Sequence, residues 1–76
     1  MEELIAVIAK SLVDNPDDVK VTRSDEDNNV TIELAVAPDD LGKVIGKQGR
    51  TARALRSILA ASAAKENKRS RLEIVE

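Results

Sequence analysis

All three glycines of this 76-residue chain fall within nine consecutive positions, Gly42-Lys43-Val44-Ile45-Gly46-Lys47-Gln48-Gly49-Arg50. Glycine is used where a backbone must turn tightly or let another molecule approach closely, so the cluster marks the candidate working site. The inner four residues, Gly46-Lys47-Gln48-Gly49, lie between two helix-like stretches and are surrounded by cations. That combination suits a loop that grips a phosphate backbone. In such a loop the two glycines let a phosphate backbone come close to the main chain, and the free N–H groups at the start of the following helix point toward its phosphates. Lys47 adds a mobile charge and Gln48 a neutral donor. Arg50 and Arg53 extend the cationic track along the next turn, and Lys43 lies one turn before the loop on the preceding helix.

Other chemistries fail on the same residues. Gly42 to Lys47 has three residues between its glycines where a nucleotide-binding P-loop has four, and Gln48 stands in place of the magnesium-holding Ser or Thr. Asp25, Asp27 and Asn29 imitate the opening of an EF-hand, but Val30 occupies the glycine position and Val36 the position of the bidentate Glu. The acid pairs Asp17-Asp18 and Asp39-Asp40 have no histidine beside them and read as helix caps and solvated turns. The serines have no identifiable base. We therefore expect a binding protein rather than an enzyme, with no cofactor, no metal and no small-molecule substrate.

Composition sets the wider bounds. A chain of 76 residues suits one small domain, here residues 1–76, burying only ~60% of the surface its unfolded form exposes. With no aromatic residue, the core must be built from Leu, Ile, Val and Ala. Without cysteine there is no disulfide, thiolate metal site or cysteine nucleophile. The apolar run over residues 4–9 is too short for a membrane span or a secretory signal, which places the chain in the cytoplasm. Asn29-Val30-Thr31 is then an incidental match to a glycosylation acceptor. The net charge of −2 conceals an asymmetry: residues 1–41 carry three bases against eleven acids, and residues 42–76 carry nine bases against three acids. The glycine cluster opens the basic half. Local field rather than overall charge decides phosphate binding.

The elements that must position the loop follow from periodicity. Residues 2–13 place Leu4, Ile5, Ile8 and Leu12 on one helical face, with acids in the first turn, and Asn15-Pro16 ends the helix. Residues 19–23 and 30–36 alternate as strands, joined by a polar turn over residues 24–29 into an antiparallel hairpin. The break at residues 37–40 supplies an acidic cap for a short helix over residues 41–45, which Gly46 ends in a left-handed turn. A long helix over residues 50–66 presents Ala52, Leu55 and Leu59 on one face, with Ile58 and Ser62 at its flank. Arg50, Arg53 and Arg56 fan across the opposite side; Arg56 lies well away from Arg50 on the helical wheel and is assigned to solvent. Residues 71–75 form a last strand, parallel to residues 30–36 through a right-handed crossover. The expected fold is α+β, in the order α-β-β-α-α-β, with a three-stranded mixed sheet packed against helices.

Within that order, the run Val44-Ile45-Gly46-Lys47-Gln48-Gly49-Arg50-Thr51 resembles the GxxG loop of a KH domain of the bacterial, or type II, topology. Nearly the whole chain is covered by the resemblance. It extends through residues 37–52 and 64–69 to the small stand-alone bacterial KH proteins. The resemblance implies cytoplasmic binding of single-stranded RNA, an RNA-chaperone role, and pairing with itself or with a larger KH protein. It also implies a link to cell elongation and envelope homeostasis. Carried over position by position, Gly42 leaves space for a base beside the first helix of the loop, and Ile45 offers an apolar floor. Since aromatic stacking is absent, bases must rest on aliphatic surface and be read at their edges.

A plain helix-turn-helix hairpin explains Gly46 and Gly49 but not the cations gathered around them. The alternative function is a protein-pairing module with RNA contact secondary: the alanines of residues 59–64 permit close approach of another helix, or else face the sheet. Lys65, Lys68, Arg69 and Arg71 either broaden the basic surface or simply solvate a helix end.

Overall fold

The computed structural model describes residues 1–76. Three helices and three strands follow the expected order: α1 Glu2–Leu12, β1 Lys20–Glu26, β2 Asn29–Ala35, α2 Leu41–Ile45, α3 Arg50–Lys65 and β3 Arg69–Val75. Short 3₁₀ turns fill the joints at Pro16–Asp18, Pro38–Asp40 and Lys47–Gly49. β2 is the middle strand, antiparallel to β1 and parallel to β3. Because side chains alternate along a strand, β2 buries Val30, Ile32 and Leu34 under the helices and turns Thr31, Glu33 and Ala35 the other way. Ile5 and Ala9 of α1, Val44 of α2 and Leu55 and Leu59 of α3 close over them, with Leu72 from β3. Each fully buried aliphatic side chain contributes roughly 1.5–3 kcal/mol, which carries the fold without an aromatic residue.

Four features depart from the sequence expectation. First, α1 faces the core through Ile5 and Ala9, while Leu4 and Leu12 are exposed. The small Ala9 side chain lets the helix lie close to the sheet, which rotates the buried face away from Leu4. Second, the polar stretch after Arg23 is strand rather than turn, and only Asp27 and Asn28 lie beyond the last paired residues, Glu26 and Asn29. Asp27 takes a φ of 53°, a left-handed conformation that Asp tolerates better than most residues. The strand persists because its charge is neutralised: Arg23 donates two hydrogen bonds to Asp25 at 2.7 and 3.0 Å, and Lys68 donates a third at 2.7 Å. Third, β3 begins two residues early, since the Arg69 N–H donates to the Asn28 carbonyl at 2.8 Å and fixes the strand against the hairpin tip.

Fourth, Asp40 is not a side-chain cap of α2. Its carboxylate, only 1% exposed, accepts the backbone N–H groups of Asp14 and Asn15 at 3.1 and 3.0 Å and the Asn15 side-chain amide at 3.0 Å. The residue therefore ties the chain leaving α1 to the start of α2. Asp39, beside it, is exposed.

Candidate nucleic-acid interface

The loop geometry follows from what each glycine must do. At Gly46 the backbone has φ 77° and ψ 173°, a region essentially reserved for glycine. The expected left-handed helical turn is replaced here by an extended backbone of positive φ. A Cβ at this position would come within 2.3 Å of Thr51 Oγ1 and 2.9 Å of the Thr51 nitrogen. Thus α2 and α3 meet too closely for any side chain at Gly46. The Gly46 N–H closes α2 on the Gly42 carbonyl at 2.8 Å, and the Gly49 N–H donates to the Gly46 carbonyl at 3.1 Å. The left-handed turn occurs later, at Gln48 (φ 58°) and Gly49 (φ 73°).

Gly49 has open space where a Cβ would stand, so its requirement is torsional. Gly42 has neither constraint: it sits in α2 with no unusual φ, and a Cβ there would meet nothing within 4 Å. A helix ordinarily loses about 1 kcal/mol to such a glycine. The residue leaves free space on the surface beside Ile45, which is itself 37% exposed.

From this loop a groove of about 910 Å³ runs between α3 and the free edge of β3. Ile45 and Gly49 lie at its loop end, Ala52, Arg56, Leu59 and Ala60 form the α3 side, and Ser70 to Ile74 form the β3 side. Arg56, which the helical wheel alone assigned to solvent, therefore lines the groove. Relative to the core centre at Leu55 and Leu59 it falls on the β3 flank, next to Ala52 and Ala60 on the i, i+4, i+8 row. That row was visible in the sequence. The contribution of Leu72 and Ile74 was not, because it depends on β3 docking alongside β2.

Electrostatics divides the cations into two sets. Arg23, Lys43, Lys68 and Arg71 are paired with carboxylates. Lys47, Arg50, Arg53 and Arg56 enter none of the chain's ion pairs, and all four are exposed. Lys65 and Arg69 are also unpaired and exposed, whereas Lys68 binds Asp25 and Arg71 lies 3.3 Å from Glu73. The Lys43 ammonium bonds to Asp14 and lies 3.9 Å from Asp40. The hydrogen bond from Lys43 to Asp14 raises the lysine pKa despite partial burial, and both acidic charges reinforce it. Of the residues singled out by sequence, the structure gathers Gly42, Ile45, Gly46, Lys47, Gln48, Gly49, Arg50 and Arg53 around the loop and directs Lys43 toward the end of α1.

The element order, the glycine-bounded turn between two helices and the adjoining groove define a KH domain. A family model, described as the KH domain of KhpA/KhpB, matches residues 2–74, and the chain belongs to that family. It is 55% identical over its whole length to the RNA-binding protein KhpA of Halalkalibacterium halodurans, which is covered completely. The KhpA of Clostridium acetobutylicum is 53% identical over 75 residues, 99% of this chain and all of the relative. That of Aquifex aeolicus is 54% identical over 76 residues, all of this chain and 96% of the relative. No solved structure matches. No helix is long and apolar enough to cross a membrane.

Proposed function

We propose that this chain binds single-stranded RNA, with the Gly46–Gly49 turn holding the backbone and the α3–β3 groove receiving the bases. The observation that carries this reading is the continuity of the loop with a partly apolar groove that Arg56 lines, together with Lys47, Arg50 and Arg53 on the loop and the first turn of α3, all four cations exposed and free of internal partners. Full-length relatives named RNA-binding proteins support it. In this reading Ile45, Ala60 and Ile74 support base faces, and Arg56 lays its guanidinium plane against one of them. β3 is an edge strand, so its outer backbone groups are free to read base edges. No chemical step is required.

Without aromatic stacking, worth ~1–3 kcal/mol per base elsewhere, affinity is modest and base preference weak. The double change Lys47→Asp with Gln48→Asp tests the reading. It removes binding in a fluorescence-anisotropy titration with labelled single-stranded RNA while leaving the circular dichroism spectrum unchanged. Unchanged affinity in the folded variant overturns the loop assignment.

By likeness to the family, the protein acts as an RNA chaperone in the cytoplasm beside a larger, KhpB-like KH protein, in support of cell elongation and envelope homeostasis. Crosslinking to RNA in cells, with the loop variant as control, tests this role. The second reading, a pairing module, is favoured by a separate observation: α1 exposes Leu4 and Val7 on a face no other element covers. The alanines first considered for pairing divide, with Ala63 buried and Ala60, Ala61 and Ala64 exposed on α3.

A further inference from the structure

We infer that Lys43 serves RNA binding as a positioning residue: it holds α2 against the end of α1, and so fixes where the Gly46–Gly49 turn stands, without touching a phosphate itself. The link to RNA rests on the reading above; the hold on α2 does not. By sequence Lys43 belongs with Lys47, Arg50 and Arg53, yet it alone of the four meets carboxylates of its own chain. Its ammonium bonds to Asp14 and lies 3.9 Å from Asp40. Lys43 stands two residues before Ile45, about 200° around the helix, so it leaves α2 on the side away from the groove that Ile45 lines.

α2 needs holding because it has only 5 residues, too few to persist on its own hydrogen bonds. Its attachments are few. Val44 is buried in the core, and at the far end Gly46 lies against Thr51 with no room for a side chain. At the near end the Asp40 carboxylate binds the two N–H groups that follow α1. That attachment places a negative charge at a site only 1% exposed, and a buried charge weakens a fold unless donors and an opposite charge stand by. Lys43, three residues on, supplies the opposite charge, and its bond to Asp14 closes a bracket from α2 back to the end of α1. The Asp14 side chain is 77% exposed, so that bond alone stabilises little. The contact with buried Asp40 gives the lysine its weight: without it, two acids face each other across the joint.

A positioning cation and a phosphate ligand differ in their response to salt. A cation that holds a phosphate releases counter-ions when RNA binds, and its loss flattens the dependence of affinity on salt. A cation that only fixes α2 releases none. Its loss lowers affinity by nearly the same factor at every salt concentration and leaves the slope as it was.

Anisotropy titrations of a labelled single-stranded RNA at several salt concentrations test the inference, with Lys47→Ala as the reference for a phosphate contact. Lys43→Met keeps the apolar stem and removes the charge. It should weaken binding about fivefold with an unchanged slope, whereas Lys47→Ala should lower the slope by about 0.7. Lys43→Arg should retain both affinity and slope. Asp14→Asn should cost less affinity than Lys43→Met, because Asp40 keeps its counter-charge. Hydrogen exchange without RNA supplies a second readout: the Gly46 and Gly49 amides, which donate to the Gly42 and Gly46 carbonyls, should exchange faster in Lys43→Met while those of β2 do not change. A slope lowered by about 0.7 in Lys43→Met makes Lys43 a phosphate ligand and overturns the inference. So does unchanged affinity, or tighter binding by Asp14→Asn, which would mean that Asp14 withholds the lysine from RNA. Faster exchange that extends evenly to β2 marks a general loss of stability and overturns it as well. Should the unmodified chain bind no RNA, the RNA reading falls, and the exchange result alone decides whether Lys43 holds the turn in place.

Discussion

At the scale of single residues, the three glycines have different reasons to be glycine, and substitution separates them. Gly46→Ala meets both a disfavoured backbone and the Thr51 side chain; it should destabilise the fold by about 1–3 kcal/mol and remove RNA binding. Gly49→Ala meets only the torsional cost, roughly 1 kcal/mol. Gly42→Ala should have effects of opposite sign: up to about 1 kcal/mol of added stability from helix propensity, and several-fold weaker binding as the methyl group fills the space beside Ile45. Urea unfolding and anisotropy on the three variants check the order. Arg56→Ala should weaken RNA binding while Arg71→Ala, whose guanidinium is held by Glu73, changes it little. At this scale the sequence was legible wherever the reason was local. The cluster of glycines announced the loop, but the part played by Arg56 required knowing which flank of α3 faces β3, and that of Lys43 required knowing that Asp14 lies beside it.

At the scale of elements, strand and helix order could be read from periodicity because alternating aliphatics in residues 30–36 and the 3.6-residue repeat of α3 both face one core. The boundaries misread were those fixed by distant partners. β1 continues through residues that resemble a turn because Arg23 and Lys68 neutralise Asp25, and Asp40 looks like a cap but binds two N–H groups beyond α1. These carboxylates determine the response to acid. Hydrogen bonding from Arg23, then from Lys68, holds Asp25 well below the usual carboxylate range. Burial pushes Asp40 up, but the Asp14 and Asn15 donors together with the Lys43 charge outweigh it and leave its pKa lowered. A depressed folded pKa contributes stability that is complete above the unfolded value, about 3.9, and is lost as pH falls through the folded value. The unfolding midpoint should therefore be flat from neutrality to about pH 5 and fall below about pH 4. Asp40→Asn should lower stability at neutral pH and make the acid limb shallower, as measured by urea unfolding across the pH range.

At the scale of the whole molecule, the net charge of −2 would argue against a polyanionic partner if charge were spread evenly. The fold instead sets the acids of the first half against Arg23, Lys43 and Lys68 and leaves Lys47, Arg50, Arg53 and Arg56 unpaired. Binding should thus respond to salt as a basic surface does, with log affinity falling against log salt by about 0.7 per phosphate held, or roughly 3 for these four unpaired cations on a single strand. Each of Lys47→Ala, Arg50→Ala and Arg53→Ala should reduce that slope by about 0.7, and titrations at several salt concentrations measure it. The position of β3 has another consequence. It follows every other element in the chain, yet it is the sole neighbour of β2 on one side and forms a whole wall of the groove. β3 runs in register with β2 from the Asn29–Arg69 pair to the Ala35–Val75 pair, so opening of this edge strand removes the groove wall while the turn at Gly46–Gly49, built by α2 and α3, stays whole. Fraying of one strand therefore uncouples the phosphate grip from the surface proposed to receive the bases.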